Sequence, residues 1–145
     1  MKKNMQQPAQ NDIDTLLEKA KTSGSKEDLS ELWKAALNLP QWHFITKHTE
    51  RLEDRKPFVG VMDNKGWVFV FTDRQKAHEY GKAIKDGGFV DAEGNLMVIS
   101  MGIEGAIDYV MDLFTKGVYG MRMNELNGWF SPIANLPAII KHVRQ

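Results

Sequence analysis

The residues Gly66-Trp67-Val68-Phe69-Val70-Phe71-Thr72-Asp73 decide how this chain is read. Five consecutive apolar positions, all aromatic or β-branched, predict a strand buried on both faces. Thr72 then offers a hydroxyl to cap a helix, and Gln75 three positions on completes a capping box. A central strand that runs straight into a helix predicts an α/β fold.

Upstream, Asp63-Asn64-Lys65-Gly66 has hairpin chemistry, with Gly66 expected as the left-handed residue joining strand 57–62 to strand 67–71. Residues 41–47 alternate loosely as a further strand, and the charged stretch 48–56 reads as a solvated connection. Before these, Ile13, Leu16, Leu17 and Ala20 fall at helical spacing from Asp12 onward. Ser25 with Asp28 resembles a capping box that opens a second helix, striped by Leu29, Leu32, Trp33, Ala36 and Leu37 and closed by Pro40. Residues 1–11 are polar and are expected to form a disordered tail. The expected organisation is therefore a tail at 1–11, a helix and linker at 12–24, and one α/β domain at 25–145.

Downstream, Ala77, Tyr80 and Ile84 predict the inner face of the helix that Gly87-Gly88 ends. Asp91–Asn95 reads as a turn, Leu96–Ile99 as a strand, and Ile103, Ala106, Ile107, Val110 and Phe114 as the inner face of a helix ended by Gly117. Residues 118–123 form another strand. Ser131-Pro132 resembles an N-cap and first helical position, and Pro137 forces a separate last helix to about Val143. Strand–helix–strand alternation predicts two right-handed crossovers. Strands 67–71, 96–99 and 118–123 are then parallel in one mixed sheet of about five strands, with helices on its faces.

Composition narrows the function. The 145 residues carry nineteen basic and nineteen acidic side chains, so no net field draws the chain to nucleic acid or an anionic membrane. Cysteine is absent, which excludes thiolate nucleophiles, disulfides and Cys-ligated zinc and suits a reducing compartment. No apolar h-region follows Lys2 and Lys3, and no apolar run approaches a membrane span, so a cytoplasmic location is expected.

Chemical motifs are sparse. His43, His48, His78 and His142 form neither HxxH nor HExxH, and there is no Walker A loop, GxGxxG fingerprint or GxSxG elbow. No metal, cofactor or catalytic residue is expected. Two places stand out. Asn124, Glu125, Trp129 and Phe130 join hydrogen-bonding side chains to two large aromatics after the last strand, the mixture of a binding surface. The alternative folds both rings onto the sheet edge and leaves Asn124 to bond the loop. Ser100, Gly102 and Gly105 mark a helix start where backbone N–H groups can meet a phosphate or carboxylate, or a plain helix start with no ligand.

The order of pieces resembles the amino-terminal domain of SseB-type proteins, the enhanced serine sensitivity family. The resemblance rests on Leu32-Trp33-Lys34-Ala35-Ala36-Leu37 ahead of the first strands and on Val68-Phe69-Val70-Phe71-Thr72-Asp73. Gly117-Val118 before a strand ending at Asn124, and Pro132 opening the final segment, extend it over residues 29–143. Glu125 stands where that family often has proline, and the family often continues into a second domain. The resemblance implies a small α/β module with regulatory or adaptor biochemistry and carries over no catalytic residue. The expected function is a non-catalytic protein-interaction or regulatory module, its partner another protein or a second copy of the chain. It would use apolar surface at the first helix and at Trp129-Phe130. The alternative is binding or hydrolysis of a small anionic metabolite at the strand-end and helix-start junctions.

Overall fold

Tertiary structure was taken from a computed structural model, which describes residues 9–84 and 86–144. Among the described residues the chain forms five α-helices and six strands of mixed pairing, an α/β fold preceded by a helical segment as expected. It divides into two compact units.

The helical unit contains α1 (Ala9–Ser23), α2 (Lys26–Leu37) and the carboxyl-terminal residues from Pro137. Helix α1 starts earlier than the apolar stripe implied, so residues 9–11 of the expected tail are helical. Residues 1–8 lie outside the described residues. Ser25 caps α2 as its sequence predicts, its hydroxyl accepting the Asp28 N–H at 3.1 Å. Asp28 in turn accepts the Ser23 hydroxyl at 2.6 Å, closing the hairpin. Helix α1 packs on α2, and Ile13 and Leu17 are buried. The stripe expected to be spare surface is therefore covered, as a short amphipathic helix requires to be stable.

The second unit, Pro40–Leu136, holds β1 (Gln41–Ile45), β2 (Val59–Met62), β3 (Lys65–Val70), α3 (Arg74–Ala83), β4 (Val98–Gly102), α4 (Ile103–Thr115), β5 (Gly120–Met123) and β6 (Trp129–Pro132). Strands β2-β3-β5-β6 form one sheet and β1-β4 another, joined by an antiparallel bridge between His43 and Phe71. Strands β3 and β5 are parallel, as the alternation predicts. The strand expected at 96–99 departs from expectation: it lies at Val98–Gly102 and pairs antiparallel with β1. Two causes are visible. Both edges of β3 are already taken, by β2 and β5. The Asp91–Asn95 turn, closed by Asp91 N–H to Asn95 C=O at 2.8 Å, also reverses the chain before β4 begins.

The β2–β3 hairpin forms as expected, but its left-handed residues are Asp63 (φ 55°) and Asn64 (φ 62°), not Gly66. Two consecutive positive φ values define the type I′ turn, which follows strand twist better than a turn displaced to Gly66. Asn64→Val should therefore cost about 1 kcal/mol or more, since a β-branched residue resists positive φ. Gly66→Ala should be tolerated, because its new methyl would meet only ordinary contacts, the nearest at 3.5 Å. Thermal melts of the two variants decide between the positions, and equal midpoints would contradict this turn.

Two further local readings shift. The N-cap of α3 is Asp73, which accepts the Lys76 N–H at 2.8 Å, and not Thr72. Ser131 lies inside β6, and a 3-10 turn at Ile133–Asn135 precedes α5 (Leu136–Val143). Pro137 stands in the first turn of α5, the position where its missing N–H costs least.

Two layers of side chains build the core of this unit. Phe69 of β3 and Phe71 just after it pack beneath Tyr80 of α3, with ring centroids 5.6 Å apart in each pair. Ile45, Ala77 and Phe89 complete that cluster. On the opposite sheet face Val68, Val70, Met121 and Met123 are buried, and Phe44 meets Tyr109 of α4 edge-on.

Candidate functional site

The loop after β5 places its residues in three different roles. Asn124 is 3% exposed and takes a left-handed backbone at φ 52°. Its Oδ1 accepts the Thr72 N–H at 2.8 Å, and its Nδ2 donates to the Thr72 hydroxyl at 2.9 Å. Its own N–H donates to the Val70 carbonyl at 2.8 Å. Asn124 therefore extends the β3–β5 pairing past the last strand residues. This is the bland reading of that residue, and it explains why Thr72 does not cap α3.

Glu125 faces Arg122, whose Nε lies 3.1 Å from both carboxylate oxygens. That contact steers the guanidinium between two rings, 5.2 Å from the Trp67 centroid and 5.3 Å from the Phe130 centroid. Cation–π attraction of this kind strengthens as the charge is desolvated, and the Arg122 side chain is only 24% exposed.

Trp129 and Phe130 separate because neighbours on a strand point to opposite faces. Met123 pairs with Trp129 and Arg122 with Phe130, so only Phe130 joins the face that carries Arg122. Trp129 is half-buried, whereas Phe130 is 60% exposed. The ring of Phe130 meets Trp67 edge-on at 5.7 Å, and Tyr119 meets the same indole at 5.2 Å. Lys65 Nζ stands 4.4 Å over the Tyr119 ring. Gly120, the β5 residue paired with Trp67, makes this assembly possible: any Cβ there would strike the indole.

The candidate site is thus a half-open sheet face made by Lys65, Trp67, Tyr119, Arg122 and Phe130. Sequence reading picked out Phe130 and missed the other four. A signal for Arg122 was present, because its alternation with Met121 and Met123 puts a charge opposite a buried face. Trp67 and Tyr119 carried no such signal, since their neighbours across the sheet come from distant parts of the chain. Leu126 completes the picture: it is exposed and holds φ at 92°, a conformation that disfavours leucine.

The second candidate stretch divides in the same way. Gly102 is the N-cap of α4, and the Ile103 N–H already donates to Pro40 C=O at 3.3 Å. Gly105 faces open space on the exposed side of α4. Ser100 turns elsewhere, to His43 across the β1–β4 ladder, with 2.7 Å between Oγ and Nδ1. Arg74 Nη1 donates to the same hydroxyl at 3.2 Å. Burial, and then the Arg74 charge, hold the His43 imidazole below its usual range against the pull of Asp73. The three residues named for an anion at this helix start are therefore not gathered around one point.

Among the described residues no group of three His, Asp or Glu side chains is placed to hold a metal ion, and no helix is long and apolar enough to cross a membrane. No family model matches the chain, and no curated protein matches it.

Proposed function

We propose that this chain is a non-catalytic, cytoplasmic protein-interaction or regulatory module, akin to the SseB-type amino-terminal domain its sequence resembles. The observation that carries the proposal is Phe130, a large ring left mostly exposed on an ordered aromatic–cation cluster. Exposed aromatic side chains beside arginine are what dominate protein interfaces energetically. Arg122 is already paired with Glu125, which leaves Lys65 as the cation this face offers, so the partner is a protein segment with an apolar anchor beside a carboxylate. A second copy of the chain is the other occupant that the test below must separate.

Phe130→Asp should leave the protein folded, because the ring is mostly exposed and the loss is confined to its edge contact with Trp67 and its contact with Arg122. Leu126→Gly should leave stability unchanged or raised, since it relieves a left-handed leucine. Both should weaken capture of a bound protein, by about ten-fold or more for Phe130→Asp if it is a hot spot. The measurement compares proteins retained by immobilised wild type and by each variant, with circular dichroism to verify folding. Sedimentation of the isolated chain reports self-association. Retention of every partner by folded Phe130→Asp, with unchanged sedimentation, would defeat the proposal.

A further inference from the structure

Away from the aromatic face, the second unit holds a cleft of about 310 Å³, the lower end of the size range for small-molecule sites. His48, Arg55 and Arg74 form its basic rim, and Phe89, Leu96 and Val98 are among its apolar walls. None of the loop residues 124–130 lines it, so it is independent of the interaction surface.

The two arginines are positioned in an uncommon way. Arg51 and Arg122 each face a carboxylate, Glu53 and Glu125. Arg55 and Arg74 are held by uncharged acceptors instead. Arg55 donates from Nε and Nη2 to the Thr49 carbonyl, at 3.2 and 2.8 Å, and lies 3.0 Å from His48 Nδ1. Arg74 donates to Ser100, which His43 fixes from the facing strand. Among the described residues neither arginine forms an ion pair with a carboxylate.

Among the described residues Asp91 is the one acid in the cleft wall, and its own turn holds it, with Arg55 a lesser influence. Its Oδ1 accepts the N–H groups of Glu93 and Asn95, both at 2.9 Å. Two positive charges against one negative leave the cleft with an uncompensated cation. Arg55 is held at three contacts, so an arriving anion meets one donor whose ordering cost has largely been met, while the exposed Arg74 is tethered by one bond to Ser100.

We propose that this cleft binds a small organic anion, its carboxylate or phosphate held by Arg55 and Arg74 and its apolar part set against Leu96 and Val98. A contribution from those two side chains is what separates such a ligand from an inorganic ion. Binding here would fit a regulatory module that responds to a metabolite without transforming it.

The test is an NMR titration of the full chain that follows the arginine Nε–H signals. Phenyl phosphate and benzoate are the anionic probes, inorganic phosphate tests the headgroup alone, and benzyl alcohol tests the ring alone. Saturable shifts of both Arg55 and Arg74 by at least one aromatic anion are expected, and the tighter of the two identifies the headgroup. Arg74→Gln should weaken that binding about ten-fold or more, as loss of a charged hydrogen bond implies. Arg51→Gln and Phe130→Asp should not change it. Absence of saturation by either aromatic anion below about 10 mM, a weak-binding limit, would overturn the proposal. So would unchanged affinity in Arg74→Gln, or inorganic phosphate or benzyl alcohol binding as tightly as the aromatic anions. Should Arg74→Gln fail to fold, the wild-type titration with its four probes decides alone.

Discussion

Asn124→Ala is expected to cost the fold about 3 kcal/mol, with a fall in melting midpoint of roughly 10 °C. Three losses combine in that number. The bond from Asn124 Nδ2 to the Thr72 hydroxyl disappears, worth about 1 kcal/mol net. The buried Thr72 N–H loses its acceptor, a penalty of about 1–3 kcal/mol. Alanine must then occupy φ near 52°, which asparagine tolerates better by virtue of its local hydrogen bonding. Asn124→Gly removes the last of these costs and should recover part of the loss. Asn124→Asp keeps an acceptor for the Thr72 N–H but puts a carboxylate at a position only 3% exposed, so it should be no milder than Ala. Chemical denaturation should place Gly as the mildest of the three. An Ala variant within about 0.5 kcal/mol of wild type, the range of ordinary surface changes, would show that this junction is not a structural lock.

Gly128→Ala should be comparably severe, by about 2 kcal/mol or more, although it adds only a methyl group. A Cβ at this position would land on the Met123 carbonyl oxygen and crowd the Asn124 backbone. No side-chain rotation relieves a clash with main chain, so the 124–128 loop must open or β6 must leave β5. Loss of β6 would carry Phe130 away from Arg122, so the same substitution should remove partner capture along with stability. This variant differs from Phe130→Asp, which should remove capture alone. A Gly128→Ala protein of wild-type stability would mean that the close turn between β5 and β6 is not as tight as described.

The separation between Asn124 and Phe130 bears on how loops after sheet strands are read for function. Both residues looked like ligand-contacting groups because polar and aromatic side chains adjoin in the chain. Burial and strand phase divide them: Asn124 holds the scaffold, Glu125 aims Arg122, Trp129 turns to the other face and Phe130 is left mostly exposed beside Arg122. The same reasoning moves interest at the second stretch away from Gly102 and Gly105, toward the arginines that Ser100 and His48 help to hold.

What the amino-acid order determines by itself is whatever depends on residues within a turn or two. The stripes of α1, α2 and α4, the Ser25 cap, the hairpin within residues 63–66 and the late start forced by Pro137 are all of this kind. Each follows from side-chain period, capping chemistry or fixed φ, which neighbours in sequence set. Tertiary structure decided what depends on competition between distant segments. Thr72 and Asp73 are both good caps, and Asp73 won because Asn124, 52 residues away, claims the Thr72 hydroxyl and N–H. Strand β4 has parallel-strand composition, yet β3 had no free edge and the Asp91–Asn95 turn had already reversed the chain. The aromatic–cation face and the two-arginine cleft belong to the same class. Their members come from separate strands and loops, and no local pattern says which of them will meet.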